Sequence, residues 1–198
     1  LSETFAVENG IKQGAILSPI LFCIYIDKLL NRVNIFGLGC QVGHMSYAGQ
    51  GYADDVGLLT PSIGALQKLL CICEDFAHDY RIKFNVKKTV CMHITRRGST
   101  PQRNLTLYGN PIAWKSKIKH LGNIVTQDLG DCDDVRVKIG VFISQVNKLN
   151  SRFRIVPSLI KGKLLQTYCC SWYGCQTWEM ESRSAAQMDI KWRKAVRR

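Results

Sequence analysis

The sequence has no apolar run near the roughly 18 residues that a membrane-spanning helix requires, which argues against an integral helical membrane protein. Leu1–Asn9 has no charged stretch leading into an apolar one, so no secretory signal is read there. There is no internal repeat, low-complexity tract or long linker, and solenoid or unstructured architectures drop out with them. The nine cysteines make no paired CxxC set with zinc spacing. Their odd number, without a secretion signal, points to a reducing, intracellular compartment. Acidic side chains are scarce too, 15 against 27 Lys and Arg, for a net charge of +12.

What is present reads as a globular chain. Hydrophobic residues make up 46% and charged residues 21% of 198 positions, enough for one domain or two small ones. The charge is lopsided. Residues 1–99 carry ten basic and eight acidic side chains, whereas residues 100–198 carry seventeen and seven. A one-sided surplus suits a polyanionic partner such as a nucleic acid; the bland alternative is a solvated basic surface. The chain opens on Leu1 and closes on Arg197-Arg198 with no helix stop, so both ends are expected to be cuts in a longer reading frame.

Along the chain, Ser18 and Pro19 make a helix start, and the helix is expected to run to about Leu30 with Ile20, Cys23, Ile26 and Leu30 inward. Phe22 and Tyr25 on it read as core. Cys40–Val42 and Ser46–Ala48 read as strands about a Gly43-His44 turn. Tyr52 and Val56–Thr60 flank Asp54-Asp55, which predicts a hairpin with both carboxylates at its tip. Over Ser62–Tyr80, Ile63, Leu66, Leu70, Cys73, Ala77 and Tyr80 fall on one helical face. Ile82, Phe84 and Val86 alternate with polar residues as in a strand, and so do Val90, Met92 and Ile94. Beyond a loop from Arg96 to Asn104, Leu105 and Leu107 lead into a Gly109-Asn110-Pro111 turn, with Ile112 and Trp114 returning. Ile118, Leu121 and Ile124 mark another strand pair. Val135, Ile139, Phe142, Val146 and Leu149 restore the helical period, with Asp133-Asp134 at its positive end. Ser158 and Ser184 are expected to cap two further helices. The fold class is α+β, with a boundary at 128/129 between a mixed part and a basic helical part.

The chemistry concentrates in Tyr52-Ala53-Asp54-Asp55. Adjacent carboxylates repel unless a cation neutralises them. Hard oxygen ligands favour Mg²⁺, which takes one or two protein carboxylates together with phosphates and water. A pair of such ions can clamp the attacking and leaving oxygens of a phosphoryl transfer. An ordinary acidic turn is the alternative that spacing alone leaves open. Cys91-x-His93 lacks the other ligands of a zinc site. Trp172, Tyr173 and Trp178 could stack on bases, though aromatics among apolar residues more often pack in a core.

Taken in order, several stretches resemble the reverse transcriptase of a non-LTR (LINE-like) retrotransposon, over nearly the whole chain. Gly10-Ile11-Lys12-Gln13-Gly14-Ala15-Ile16-Leu17-Ser18-Pro19-Ile20-Leu21-Phe22 is similar to the family's motif B, and Tyr52-Ala53-Asp54-Asp55 to motif C. Asn85-Val86-Lys87-Lys88-Thr89 is similar to motif D. His120-Leu121-Gly122 is similar to the primer-grip motif E, with His where Tyr is usual. Tyr173–Trp178 and Trp192–Arg198 are similar to stretches beyond the polymerase core. The resemblance implies a palm-like antiparallel sheet with packed helices over 1–128 and a truncated, thumb-like helical region over 129–198. It implies that Asp54 and Asp55 hold Mg²⁺, or Mn²⁺ in its place, and that Lys88 acts on the departing pyrophosphate. Gln13, Gly14 and Tyr52 would lie beside the nucleotide. The implied partners are an RNA template, a DNA primer and dNTPs, met in the nucleus or cytoplasm and not at a membrane.

In that family a third carboxylate comes from motif A, well before motif B. Only nine residues precede Gly10 here, and their acids, Glu3 and Glu8, lie in no strand pattern. The expectation is a palm-and-thumb portion of a reverse transcriptase that is inactive alone. The rival readings are a non-enzymatic nucleic-acid-binding fragment of a decayed or host-reused element, and a protein like a group II intron maturase.

Overall fold

A computed structural model describes residues 14–95, 103–170 and 172–197. The chain divides into two units, Leu1–Val90 with Pro101–Ala113, and Cys91–Thr100 with Trp114–Arg198. The compositional boundary at 128/129 falls inside the second unit.

The first unit is built on two helices. Helix α1 (Ser18–Ile35) runs five residues past the expected end, with Pro19 in its first turn. Leu17, not Ser18, stands at its N-cap, without a side-chain cap bond. The buried residues are Ile26, Leu29 and Val33, so the expected inward set is corrected: Ile20 is 58% exposed and Cys23 is exposed. The core packed on α1 meets the helix only from Phe22 onward. Helix α2 (Ile63–Asp79) is capped by Ser62, whose Oγ accepts from the Ala65 N–H at 3.2 Å. Its buried stripe is wider than expected and includes Leu69 and Phe76, because α1 lies on one side and the segment Thr106–Leu107 on another. Phe76 stacks on Tyr80 at 4.3 Å, and Tyr25 meets Tyr80 edge-on at 5.0 Å, which places that aromatic in the core. Burying a side chain such as Phe76 contributes about 1.5–3 kcal/mol.

Strands β1 (Cys40–Val42) and β2 (Met45–Tyr47) form one two-residue hairpin, and β3 (Gly49–Tyr52) and β4 (Asp55–Leu58) another. Strand β5 is Val90–Cys91. Strands β6 (Thr106–Leu107) and β7 (Asn110–Pro111) turn through Tyr108-Gly109, both at positive φ (+51° and +72°), one residue earlier than expected. That is the geometry whose twist suits a two-residue hairpin. Leu105, Leu107 and Ile112 are buried beneath it.

Two expectations fail here. Residues 82–86 are not a strand: Ile82 and Phe84 pack on the α1–α2 core, but the Phe84 N–H goes to the Tyr108 hydroxyl at 3.3 Å and not to a neighbouring strand. In the segment after Lys88 the inward residue is Cys91, while Val90 and Ile94 are 38% and 47% exposed, so the alternation was read on the wrong face. The class is α+β. Among the described residues the strands remain two-stranded ribbons, antiparallel in the four hairpins, and do not join into one sheet, since strands of two to four residues offer few rungs.

In the second unit, Cys91 O accepts from the Lys115 N–H and Gln127 O from the Thr95 N–H, both at 2.8 Å. Strand β8 is Ala113–Trp114, and the division between the units falls within β5 and β8. Strands β9 (Lys117–His120) and β10 (Asn123–Thr126) form a hairpin whose turn, Leu121-Gly122, has φ of +48° and +83°. Helices α3 (Cys132–Arg152), α4 (Ser158–Cys169) and α5 (Arg183–Val196) bury Phe142, Val146, Leu149, Leu165 and Cys169, with Trp172 and Trp192 against them. The N-cap of α4 is Pro157, and α5 is capped by Ser182, whose Oγ accepts from the Ala185 N–H at 3.2 Å; Ser158 and Ser184 are inside the helices they were expected to cap.

Asp133 and Asp134 are in the first turn of α3, as expected, and Asp134 is in addition 4% exposed and central to the unit. Its Oδ1 accepts from the Ile124 N–H at 2.9 Å, and its Oδ2 from Lys138 Nζ at 2.7 Å and Trp178 Nε1 at 2.8 Å. Lys138 also donates to Asn123 Oδ1 and lies 5.4 Å from the Trp178 ring centre. Burial raises the Asp134 pKa, but the bonds from Lys138, Ile124 and Trp178 outweigh it and leave the carboxyl below its usual range.

Candidate active site

The β3–β4 hairpin is placed by glycine. Gly49 pairs with Leu58 and Gly51 with Val56, so these four share one face. A Cβ on Gly49 would stand 3.0 Å from Val33, and one on Gly51 would stand 3.0 Å from Leu30. The missing side chains let the ribbon lie on α1, with Val56 and Leu58 completing the core. The Asn34 side chain accepts from the Ala48 and Gly49 N–H groups at 3.1 and 3.3 Å, which ties the end of α1 to the start of β3.

The opposite face is exposed. Tyr52 pairs with Asp55 at the end of the ladder, and Ala53-Asp54 make the turn, with Ala53 at φ +51°. The carboxylates were expected together at the tip. Asp54 is in the turn, but Asp55 is the first residue of β4. A side chain directly across a ladder shares its face, so Asp55 and Tyr52 present one polar face and Asp54 stands beside it. All of Tyr52–Asp55 is exposed. Among the described residues, neither carboxylate has a salt bridge, and no group of three His, Cys, Asp or Glu stands ready for a metal. The donor chemistry suits a hard divalent cation: exposed carboxylate oxygens, uncommitted to a cation of the described chain.

Of the other expected site residues, Gly14 is at φ +79° with nothing within 4 Å of where a Cβ would be, four residues before the start of α1. That backbone favours glycine whatever the space. Gln13 lies outside the described residues. Lys88 is exposed, in a turn and not at a strand end. The Asn85 carbonyl accepts from the Lys88 and Thr89 N–H groups at 3.1 and 3.0 Å, and Asn85 Oδ1 accepts from Lys88 N–H at 3.2 Å. Asn85 therefore shapes this turn through its short side chain. Cys91 and His93 belong to no metal cluster among the described residues. Burial pushes the Cys91 thiol up to about 11, which leaves it protonated.

In the second unit, β9 places Lys117 and Lys119 on one face and His120 beside the turn, all exposed. A cavity of about 300 Å³ lies beneath the turn, lined by Lys119, Gly122, Lys138, Gln145, Trp172 and Tyr173 among others. The network of Asp134, Lys138 and Trp178 escaped sequence reading. Its one visible signal is the acid–base spacing of four residues from Asp134 to Lys138 on a helix. Trp178 is 9% exposed and in the core, as expected for an aromatic among apolar residues, while Tyr173 is exposed.

The sequence model described as reverse transcriptase (RNA-dependent DNA polymerase) matches residues 1–125. The chain is 35% identical over 102 residues to a retrovirus-related Pol polyprotein from a type-2 retrotransposable element of Drosophila melanogaster, covering 52% of this chain and 9% of that protein. It is 26% identical over 171 residues to the RNA-directed DNA polymerase from the mobile element jockey of Drosophila funebris, covering 83% of this chain and 18% of that protein. A Pol polyprotein from a type-1 retrotransposable element of Popillia japonica is 29% identical over 98 residues, covering 49% and 14%. The chain thus spans less than a fifth of the length of these relatives.

Proposed function

The chain belongs to the reverse transcriptase (RNA-dependent DNA polymerase) family, and from that premise we propose that it is the palm and thumb portion of the polymerase of a non-LTR retrotransposon. The observation that carries the proposal is the Tyr52–Asp55 hairpin. It projects two uncommitted carboxylates from a ribbon held to α1 by glycines, within the segment that matches the family. Asp54 and Asp55 would hold Mg²⁺, or Mn²⁺ in its place, which would supply positive charge where negative charge develops on the α-phosphate of a dNTP. Tyr52, sharing the Asp55 face, would line the nucleotide side, together with Gly14 and Gln13. Lys88 would contribute a cation for the departing pyrophosphate. The second unit, with its surplus of cations, would follow the primer–template backbone. An RNA template, a DNA primer and dNTPs are the partners this reading requires, met in the nucleus or the cytoplasm.

The test has two arms. Mn²⁺ titrated into the chain should broaden amide signals at residues 52–56 first, and Asp54→Asn with Asp55→Asn should remove that effect. In the polymerase that carries this segment, Asp54→Asn should abolish dNTP incorporation on an RNA template. Mn²⁺ that broadens other regions equally, or incorporation that survives the substitution, would overturn the assignment. A second reading, a nucleic-acid-binding fragment without catalysis, is favoured by the basic surplus of residues 100–198 and predicts salt-sensitive binding that is indifferent to Asp54.

A further inference from the structure

The stretch Tyr173–Trp178 has no part in the site above, yet the structure gives two of its residues a defined task. Gly174 is at φ +85°, and a Cβ there would overlap the Asn123 carboxamide, so only glycine lets that side chain lie against this backbone. Trp178 sends its Nε1–H to Asp134 Oδ2 at 2.8 Å. Both contacts converge on one end of the β9–β10 hairpin. Asn123 is the first residue after the Leu121-Gly122 turn, and it receives a bond from Lys138. The next N–H, from Ile124, goes to Asp134. Six residues from β10, α3 and residues 174–178 thus hold a turn that has no other strand beside it among the described residues. Lys138 and Gly122 also line the cavity that Lys119 borders. The pose of the turn therefore sets the shape of that cavity.

We propose that Asp134 and Lys138 are positioning residues: through Ile124 and Asn123 they fix the Lys119–Asn123 turn in the one pose that holds a primer–template backbone. The inference rests on the proposal above that the second unit follows the primer–template backbone. Lys119 and His120 supply the contact, and the buried ion pair supplies the geometry. An ion pair that only stabilised the helices would need no bond to the turn, whereas each of these two side chains makes one.

The probe is a fluorescein-labelled DNA primer on an RNA template, bound by the full 198-residue chain. Affinity is measured for wild type, Lys119→Gln, His120→Ala, Asn123→Ala, Asp134→Asn and the doubles of the last two with Lys119→Gln, at a temperature where circular dichroism shows each variant folded. Asn123→Ala cuts the tie from Lys138 to the turn while the bonds of Asp134 to Lys138 and Trp178 stay, so it serves even if Asp134→Asn fails to fold. Lys119→Gln should weaken binding about threefold or more, and Asn123→Ala and Asp134→Asn should do likewise. Each double should bind no more weakly than Lys119→Gln alone, because a misplaced turn and a missing cation lose the same contact. Losses that multiply in the doubles, or unchanged binding by Asn123→Ala, would overturn the positioning role while the hairpin contact stood. Binding unchanged by Lys119→Gln and by His120→Ala would remove the hairpin contact itself, and the inference with it.

Discussion

Removing the Asp134 carboxylate should be the most damaging single change in the second unit. With Asp134→Ala, the Lys138 ammonium, whose side chain is 12% exposed, loses its only ion-pair partner among the described residues. Breaking a buried pair from one side costs about 3–5 kcal/mol. The Trp178 and Ile124 N–H groups also lose their acceptor, at about 1–3 kcal/mol for each donor that finds no water. A total loss of about 4–6 kcal/mol is expected, the lower end applying where water reaches both donors. Asp134→Asn keeps the acceptor for Ile124 but can turn an NH₂ toward two donors, so about 2–3 kcal/mol should go. Adding Lys138→Met to Asp134→Ala removes the stranded charge, and the double should recover about 2 kcal/mol relative to the sum of the singles. Urea unfolding followed by tryptophan fluorescence suits the test, since Trp172, Trp178 and Trp192 all belong to this unit. The pH dependence carries a sign. A carboxyl held below its usual pKa binds its proton more weakly folded than unfolded. Its contribution is therefore full above the ordinary aspartate value of about 3.9 and is lost as pH falls through the folded value. Asp134→Asn should flatten that acid limb. A loss under about 1 kcal/mol for Asp134→Ala, or an additive cycle, would refute the account.

Other outcomes follow from single features. Ala53→Gly should raise stability by about 0.5–1 kcal/mol, because Ala53 holds a left-handed φ of +51° that costs a residue with a Cβ; a fall in the melting temperature would contradict this. Gly51→Val should cost about 1–3 kcal/mol by pressing on Leu30, and should unfold the hairpin before α2 when amide exchange is followed. Burial raises the Cys73 and Cys91 thiols to about 12 and about 11, so at pH 8 a disulfide reagent should modify exposed Cys23, Cys71 and Cys132 and leave those two until urea is added. Lys194→Gln and Arg197→Gln, at exposed positions of α5 and its cap, should each lower the log–log salt slope of nucleic-acid binding by about 0.7–0.9; an unchanged slope would take α5 off the binding surface.

Periodicity and turn residues carried the helices and the four hairpins, because one buried face leaves a mark at a fixed spacing. It failed where burial came without a ladder. Ile82 and Phe84 alternate as strand residues do, yet they pack on helices, and no neighbouring strand takes up the N–H of Phe84. It failed again at α1, where the first turns look as apolar as the buried half but the core begins only at Phe22. Of the site, the acidic hairpin was legible from its apolar flanks, and its register was off by the one residue that puts Asp55 in β4. The Asp134 network was illegible for a different reason. Its members come from positions 123, 124, 134, 138 and 178, and no local pattern joins positions so far apart.

Gln67 holds one further consequence. Its Oε1 accepts from the Thr106 N–H at 2.9 Å while its Nε2 donates to the Thr106 carbonyl at 3.0 Å. A carboxamide carries the same donor and acceptor as a peptide group, so this side chain imitates one rung of a missing strand. Glu74, two turns on, takes the Tyr108 N–H in the same manner at 2.6 Å. The outer edge of β6, which would otherwise be open to pairing with another chain, is thus plugged by a helix. The ribbon therefore depends on α2: a change that frays the helix at Gln67 or Glu74 also uncovers this edge. A sequence that kept every apolar residue here but lost Gln67 and Glu74 would retain its core and acquire a sticky edge.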